Sequence, residues 1–231
     1  MNNQDALEKL NHEIIDCRKC PRLVAWRERV AKEKKRAYLA WEYWGKPVPG
    51  FGDINGRIMV IGLAPGAHGS NRTGRMFTGD ASGDFLFPAL FRAGFANQPE
   101  STSISDGLML HDLFITAACR CAPPENKPTR DEMDNCCGFL MQESALMLNL
   151  QGIVALGRIG FEQALNLLRH RYDYEINPKP RFSHSAVFFS EELPNPWLIS
   201  SYHPSRQNTQ TGRLTSGMFD EIWVKARNLL R

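Results

Sequence analysis

Short apolar runs and helical stripes alternate along the chain. Ile58-Met59-Val60-Ile61 is a β-branched run of the kind found in strands buried on both faces. Asp112 to Ala118 (DLFITAA), Gly152 to Gly157 (GIVALG) and Trp197 to Tyr202 (WLISSY) repeat that character. Between these runs the apolar spacing becomes helical. Leu7, Leu10, Ile14 and Ile15 mark a helix over residues 5–16, and Gly83 to Gly94 reads as a helix against the sheet, with Pro88 near its first turn. PTRDE starts another near Thr129, with acids where the helix dipole favours them. Ile159, Phe161, Ala164, Leu165 and Leu168 mark a helix over 158–170, and Met218, Ile222, Ala226 and Leu229 a closing one from Ser216. Such alternation predicts an α/β fold, a three-layer α/β/α sandwich with a central, mainly parallel four-stranded sheet. Residues 97–111 read as a surface loop. Residues 171–196 are mixed; HSAVFFS there is able to add a strand or hairpin, with His184 structural. The whole chain, 1–231, reads as a single domain whose residues 1–50 form a helical N-terminal part.

The alternation is interrupted after the first strand. From Gly62 to Gly83 the chain holds six glycines, with Asn71, Arg72, Arg75, Asp80 and then Asp84 placed around the aromatic Phe77. Glycine lets backbone N–H groups approach a ligand, and a long polar loop in a compact domain is functional or disordered. This loop falls beyond the carboxyl end of a strand, where doubly wound sheets bind ligands. It matches neither a P-loop nor a dinucleotide fingerprint. His203 follows the fourth strand directly and so reaches the same sheet edge. Pro204 fixes its turn, and SRQNTQTGRLT beyond it is polar and Arg-bearing, suited to phosphates. A lone His after a strand is more often structural; its place on this edge raises it to a candidate.

Composition adds little until its distribution is considered. A net charge of +3 and a pI near 8.5 are compatible with nucleic acid without requiring it. Nine Lys/Arg lie between Arg18 and Arg36. Trp26, Tyr38, Trp41, Tyr43 and Trp44 are interleaved or follow, as aromatics that pack this stretch onto the domain. No apolar run approaches the ~20 residues of a membrane span, and MNNQDALEKL lacks a signal-peptide layout, so the expectation is a cytoplasmic protein. Six cysteines fall as Cys17/Cys20, Cys119/Cys121 and Cys136/Cys137. Four thiolates make the usual ligand set of a 4Fe-4S cluster or of structural zinc; ordinary buried cysteines are the plainer alternative for the CxxC pair.

GLAPGAHGSNRTGRMFTGDASGDFL resembles the first motif of the family 5 uracil-DNA glycosylases, and HPSRQNTQTGRLT resembles the second motif of that superfamily. The resemblance implies removal of uracil, and of bases such as hypoxanthine or xanthine, from DNA by a monomer. Its implied catalytic residues are Asp80, Asn126 and His203. Base contacts fall to Gly62, Leu63, Ala64, Gly66, Ala67 and Phe77, and DNA contacts to Arg72, Arg75, Ser205, Arg206, Gln207 and Asn208. Cys17, Cys20, Cys121 and Cys136 would hold a 4Fe-4S cluster, with zinc as the competing ion and Cys119 and Cys137 as bystanders. The chain departs from the related patterns in three places. Leu63 stands where family 4 has an acid, Ala117 where family 4 has an Asn, and Arg206-Gln207 where relatives often have a leucine wedge. A non-catalytic nucleic-acid-binding module with a structural metal site is the rival reading. A nucleotide hydrolase would need clustered carboxylates for Mg²⁺, which the sequence lacks.

Overall fold

The computed structural model describes residues 3–174, 176, 178, 180–189 and 196–230. Strands β2 (Ile58–Gly62), β3 (Leu113–Ala117), β4 (Gly152–Leu156) and β6 (Trp197–Ser201) are the four foreseen runs, all parallel and all buried along their length. The sheet has six strands rather than four, in the order β1 (Phe51–Gly52), β3, β2, β4, β6 and β5 (Ala186–Phe188). Antiparallel β1 covers one edge and antiparallel β5 the other. β1 hides in a Pro/Gly turn and is too short for an alternating pattern. β5 falls within HSAVFFS, the last residue of which lies outside the described residues.

Each central strand feeds two cores because successive side chains point to opposite faces. Ile58, Val60, Ile115, Val154 and Ile199 pack with Leu86, Phe87 and Leu90 of α4 (Ala81–Arg92) and with Phe219, Ile222 and Trp223 of α8 (Ser216–Asn228). Met59, Ile61, Phe114, Ile153 and Leu198 face the other way. They meet Leu7 of α1 (Asn3–Ile15), Leu140 of α5 (Arg130–Leu146) and Phe161, Ala164 and Leu167 of α6 (Gly157–Tyr172). α5 starts with a capping box at Thr129 and Glu132, as PTRDE suggested. The basic stretch begins as α2 (Pro21–Glu33), which touches the short α3 (Ser70–Thr73). Residues 97–111 are not simply surface. Leu108 and Leu110 are buried, and the chain wraps Asp106, whose carboxylate accepts from the Thr102, Ser103 and Leu108 N–H groups.

One buried ion pair ties three segments together. Arg120, just past β3, bonds Glu143 of α5 at 2.5 Å, with both side chains out of solvent. The Thr116 hydroxyl donates to the same Glu143 oxygen at 2.6 Å, and the Arg120 carbonyl accepts from Val48 N at 2.7 Å. Removing one partner of such a pair strands a buried charge. Arg120→Met should therefore cost about 3–5 kcal/mol in urea unfolding; a loss below about 1 kcal/mol would show that water reaches Glu143.

Candidate active site

The carboxyl ends of the parallel strands open into a cleft of about 1050 Å³. The loop after β2 forms much of it, with Leu63, Ala64, Gly66, Ala67, Phe77 and Asp80 on the lining. His203 arrives from the end of β6, and Asn126 from the Pro-rich turn after β3. Sequence separations of more than a hundred residues are thus closed at one edge of the sheet.

Close backbone approach shapes the loop. Phe77 is buried in a left-handed conformation, φ +54°, and its ring lies over Gly62, where a Cβ would stand 2.8 Å from the ring. Gly62 therefore does not line the cleft; it makes room for the residue that does. His203 stacks beside Phe77 with ring centroids 5.8 Å apart and planes inclined by 27°. Burial pushes its pKa down to about 4, so the imidazole is neutral at physiological pH. Among the described residues neither ring nitrogen has a hydrogen-bond partner. Asn208, expected on DNA, donates to the His203 carbonyl at 2.8 Å and braces that turn.

Asp80 is the N-cap of α4. Its Oδ1 accepts from the Ser82 N–H at 3.0 Å and the Gly83 N–H at 3.4 Å. Its Oδ2 presses on Gly69, where a Cβ would come within 1.9 Å. Burial raises the carboxyl pKa, outweighing the two N–H donors that lower it. A capping role and a place in the cleft coexist in one side chain. The N–H groups of Ala64, Gly66 and Ala67 donate to no backbone carbonyl among the described residues, and these three residues line the same space. Asn126 is exposed with φ +56°, directly after Glu125 at φ +54°, so the turn holds two consecutive non-glycine residues in left-handed geometry.

Two of the proposed DNA contacts are corrected. The Arg72 guanidinium is buried between Tyr38 and Trp41, 4.0 and 4.1 Å from their ring centres, and bonds the His68 and Gly79 carbonyls. Arg75 is buried against Asp106 at 2.6 Å, with Ser101 and Thr78 as further partners. Neither can reach a phosphate. Arg206 and Gln207 are exposed at the cleft mouth on α7 (Arg206–Gln210), with Ser205 preceding them. Lys35, from the basic stretch, is a further exposed cation at this mouth, beside Tyr38, His68 and Tyr202, and the structure adds Lys127, Arg158 and Arg213, which the sequence reading did not single out. Arg213 lies in the quoted polar segment and stacks 4.5 Å over Tyr202. His184 stacks under Tyr202 and accepts from its N–H, a structural brace.

The cysteines gather beneath the N-terminal helices. Cys20 and Cys121 pack around Leu23, and each lies within electrostatic reach of Cys17 and Cys136. Arg27 donates to the Cys121 sulfur at 2.9 Å, and Cys20 stands at the N-terminus of α2. Among the described residues no three His, Cys, Asp or Glu side chains converge as a metal site. Cys119 hydrogen-bonds Cys136, and Cys137 accepts from Asn166 at 3.6 Å.

The family model of the uracil DNA glycosylase superfamily matches residues 49–227. A type-5 uracil-DNA glycosylase of Thermus thermophilus is 52% identical over 217 residues, 94% of either chain. One from Mycobacterium tuberculosis is 49% identical over 222 residues, 96% of this chain and 81% of that one. A type-4 uracil-DNA glycosylase of Pyrobaculum aerophilum is 32% identical over 166 residues, 71% of this chain and 67% of its own.

Two stability measurements check the electrostatics. Asp80→Asn keeps an N-cap and removes a partly desolvated charge, so its melting temperature should not fall, whereas Asp80→Ala should lose about 1 kcal/mol of capping. His203 has a native pKa of about 4 against an ordinary 6.5. The unfolded chain therefore binds the proton first, and stability should fall as pH drops through that window. His203→Asn should flatten that part of the stability–pH curve.

Proposed function

The chain belongs to the uracil-DNA glycosylase superfamily, and we infer that it acts as a uracil-DNA glycosylase of base-excision repair, hydrolysing the bond between uracil and deoxyribose to leave an abasic site. The observation that carries this reading is the meeting of Phe77, a neutral His203 and a half-buried Asp80 in one cleft. A glycosidic bond inside a duplex is inaccessible, so the nucleotide must be extruded into the cleft. Phe77 offers the apolar wall, and base–aromatic contact contributes ~1–3 kcal/mol. As the C1′–N bond breaks, its electron pair leaves with the base and charge gathers on the base carbonyl. His203 and the N–H groups of Ala64, Gly66 and Ala67 are the donors for that charge, worth ~2.7–4 kcal/mol each in comparable sites. Water adds to C1′ and gives its proton to Asp80. With Oδ1 held by the cap, Oδ2 serves the water and the cationic sugar, and the raised pKa suits a general base. Asn126, at the rim, positions the water or the base.

Leu63 supplies an apolar wall and no acid. Ala117, on the cleft lining, gives no side-chain hydrogen bond to a particular base edge, which supports a range extending to hypoxanthine and xanthine. Arg206, Arg158 and Arg213, with the polar Gln207, meet the phosphates at the mouth. The cleft is complete within one chain, which supports action as a monomer, in the compartment that holds DNA. No helix among the described residues is long and apolar enough to cross a membrane.

Cys17, Cys20, Cys121 and Cys136 would hold a 4Fe-4S cluster, or zinc in its place. The all-thiol donor set, with Cys20 and Cys121 packed together and Arg27 donating to the Cys121 sulfur, supports this assignment, although burial favours the thiol at Cys20 and Cys121 and the sulfurs must draw together to share one centre. The group would crosslink α2, the turn after β3 and α5, and it enters no step above.

A uracil-bearing oligonucleotide should be cut by alkali after incubation with the protein; an uncut strand overturns the glycosylase reading in favour of a binding module. Asp80→Asn should slow single-turnover excision by orders of magnitude while DNA affinity stays nearly unchanged, and the acid limb of the wild-type pH–rate profile should lie above the ordinary carboxylate range. Leu63→Ala should cost little. Anaerobically purified protein should be brown, with about four iron atoms per chain, lost in Cys121→Ser; colourless protein with stoichiometric zinc would replace the iron assignment.

A further inference from the structure

The excision chemistry leaves one wall of the cleft without a task. Lys35, Tyr38 and His68 line it. The His68 ring is half-buried and stands edge-on to buried Tyr43, with centroids 6.1 Å apart. The Tyr43 hydroxyl lies 3.1 Å from His68 Nδ1, and the Lys35 backbone N–H donates to the same hydroxyl at 3.3 Å. A hydroxyl has one proton. Its oxygen can accept twice, but among the described residues Nδ1 is the one acceptor that its proton meets, so that proton goes to Nδ1. Nδ1 is thus the acceptor, and a neutral imidazole must carry its own proton on Nε2. Desolvation and the charges of Lys35 and Arg72 all favour the neutral ring.

The wall is also rigid. Arg72 Nε donates to the His68 carbonyl at 2.8 Å, and its guanidinium is clamped between Tyr38 and Trp41. The Nε2–H sits on the ring edge away from Tyr43 and has no acceptor among the described residues. The exposed Lys35 ammonium lies 6.0 Å from the Tyr38 ring centre and makes no ion pair among the described residues. A fixed N–H donor and a neighbouring cation at a cleft mouth match an anionic oxygen rather than a base carbonyl, for which His203 and the loop amides already serve.

We propose that His68, through Nε2–H, and Lys35, through its ammonium, grip a backbone phosphate beside the extruded nucleotide, and that Tyr43 sets the tautomer that allows it. This rests on the glycosylase reading, which makes DNA the occupant of the cleft.

The test uses oligonucleotides carrying 2′-fluorinated deoxyuridine, whose glycosidic bond resists cleavage, with one uncharged methylphosphonate placed in turn at each phosphate near the uracil. One position should weaken wild-type binding by roughly tenfold, the loss of a charge-assisted hydrogen bond. In His68→Ala and Lys35→Met the all-phosphate strand should already bind that much more weakly, and methylphosphonate at that position should cost little more. Lys35→Met should also lower the salt slope by roughly one phosphate contact. His68→Gln, which keeps a donor, should recover part of the loss. Lys35 is exposed, so its variant carries the test should a His68 variant fail to fold. Penalties of full size in both variants at every position overturn the proposal. Wild-type excision of ordinary uracil is measured in parallel. Its absence would sink the glycosylase reading alone, because the phosphate map comes from binding.

Discussion

The site depends on how closely one loop returns to its own strand. The Phe77 ring occupies the space where Gly62 has no side chain, and the Asp80 carboxylate presses on the bare Cα of Gly69. Methyl groups at these two places would push out the stacking wall and the carboxylate together. Burying Asp80 there is what raises its pKa, so packing and protonation have a single cause. Positive φ at Phe77, Glu125 and Asn126 is a further cost carried by the cleft lining.

The charges divide by depth. Arg72, Arg75 and Arg120 are buried and committed to carbonyls or carboxylates. The cations left exposed at the mouth, such as Arg158, Arg206 and Arg213, are set by the ends of α6 and α7 and by the turn beyond. Inside, His203 is neutral and Asp80 is an ionisable acid on the lining. A polyanion is therefore met by positive charge outside, while the reacting centre holds the Asp80 carboxylate in a poorly hydrated space, where a dipole aimed at a developing charge acts most strongly.

Much of this was legible in the chain. Four β-branched runs became the parallel core because strands buried on both faces carry an unbroken apolar signal. Phe77, Asp80, Asn126 and His203 could be singled out because each falls at a strand end or in a polar loop, and topology then brings them into one cleft. Other features had no signal. An arginine in a polar loop reads the same whether it faces phosphate or a buried carboxylate, so the inward turn of Arg72 and Arg75 depended on aromatic and acidic partners that only folding supplies. His68 sat in plain view within the first motif, but its significance comes from Tyr43, 25 residues earlier. The two-residue β1 carried no periodicity to read.

The edge strands have a further consequence. A central sheet of apolar parallel strands, left open, would present rows of unpaired N–H and C=O groups to any neighbouring chain. Here β1 has two residues and β5 three, and both run against the strands they cover. Strands that short offer too few consecutive pairing sites to template a foreign strand. The molecule can thus keep a very apolar sheet without inviting edge-to-edge aggregation when it is crowded or newly made, leaving its association with other macromolecules to the charged mouth.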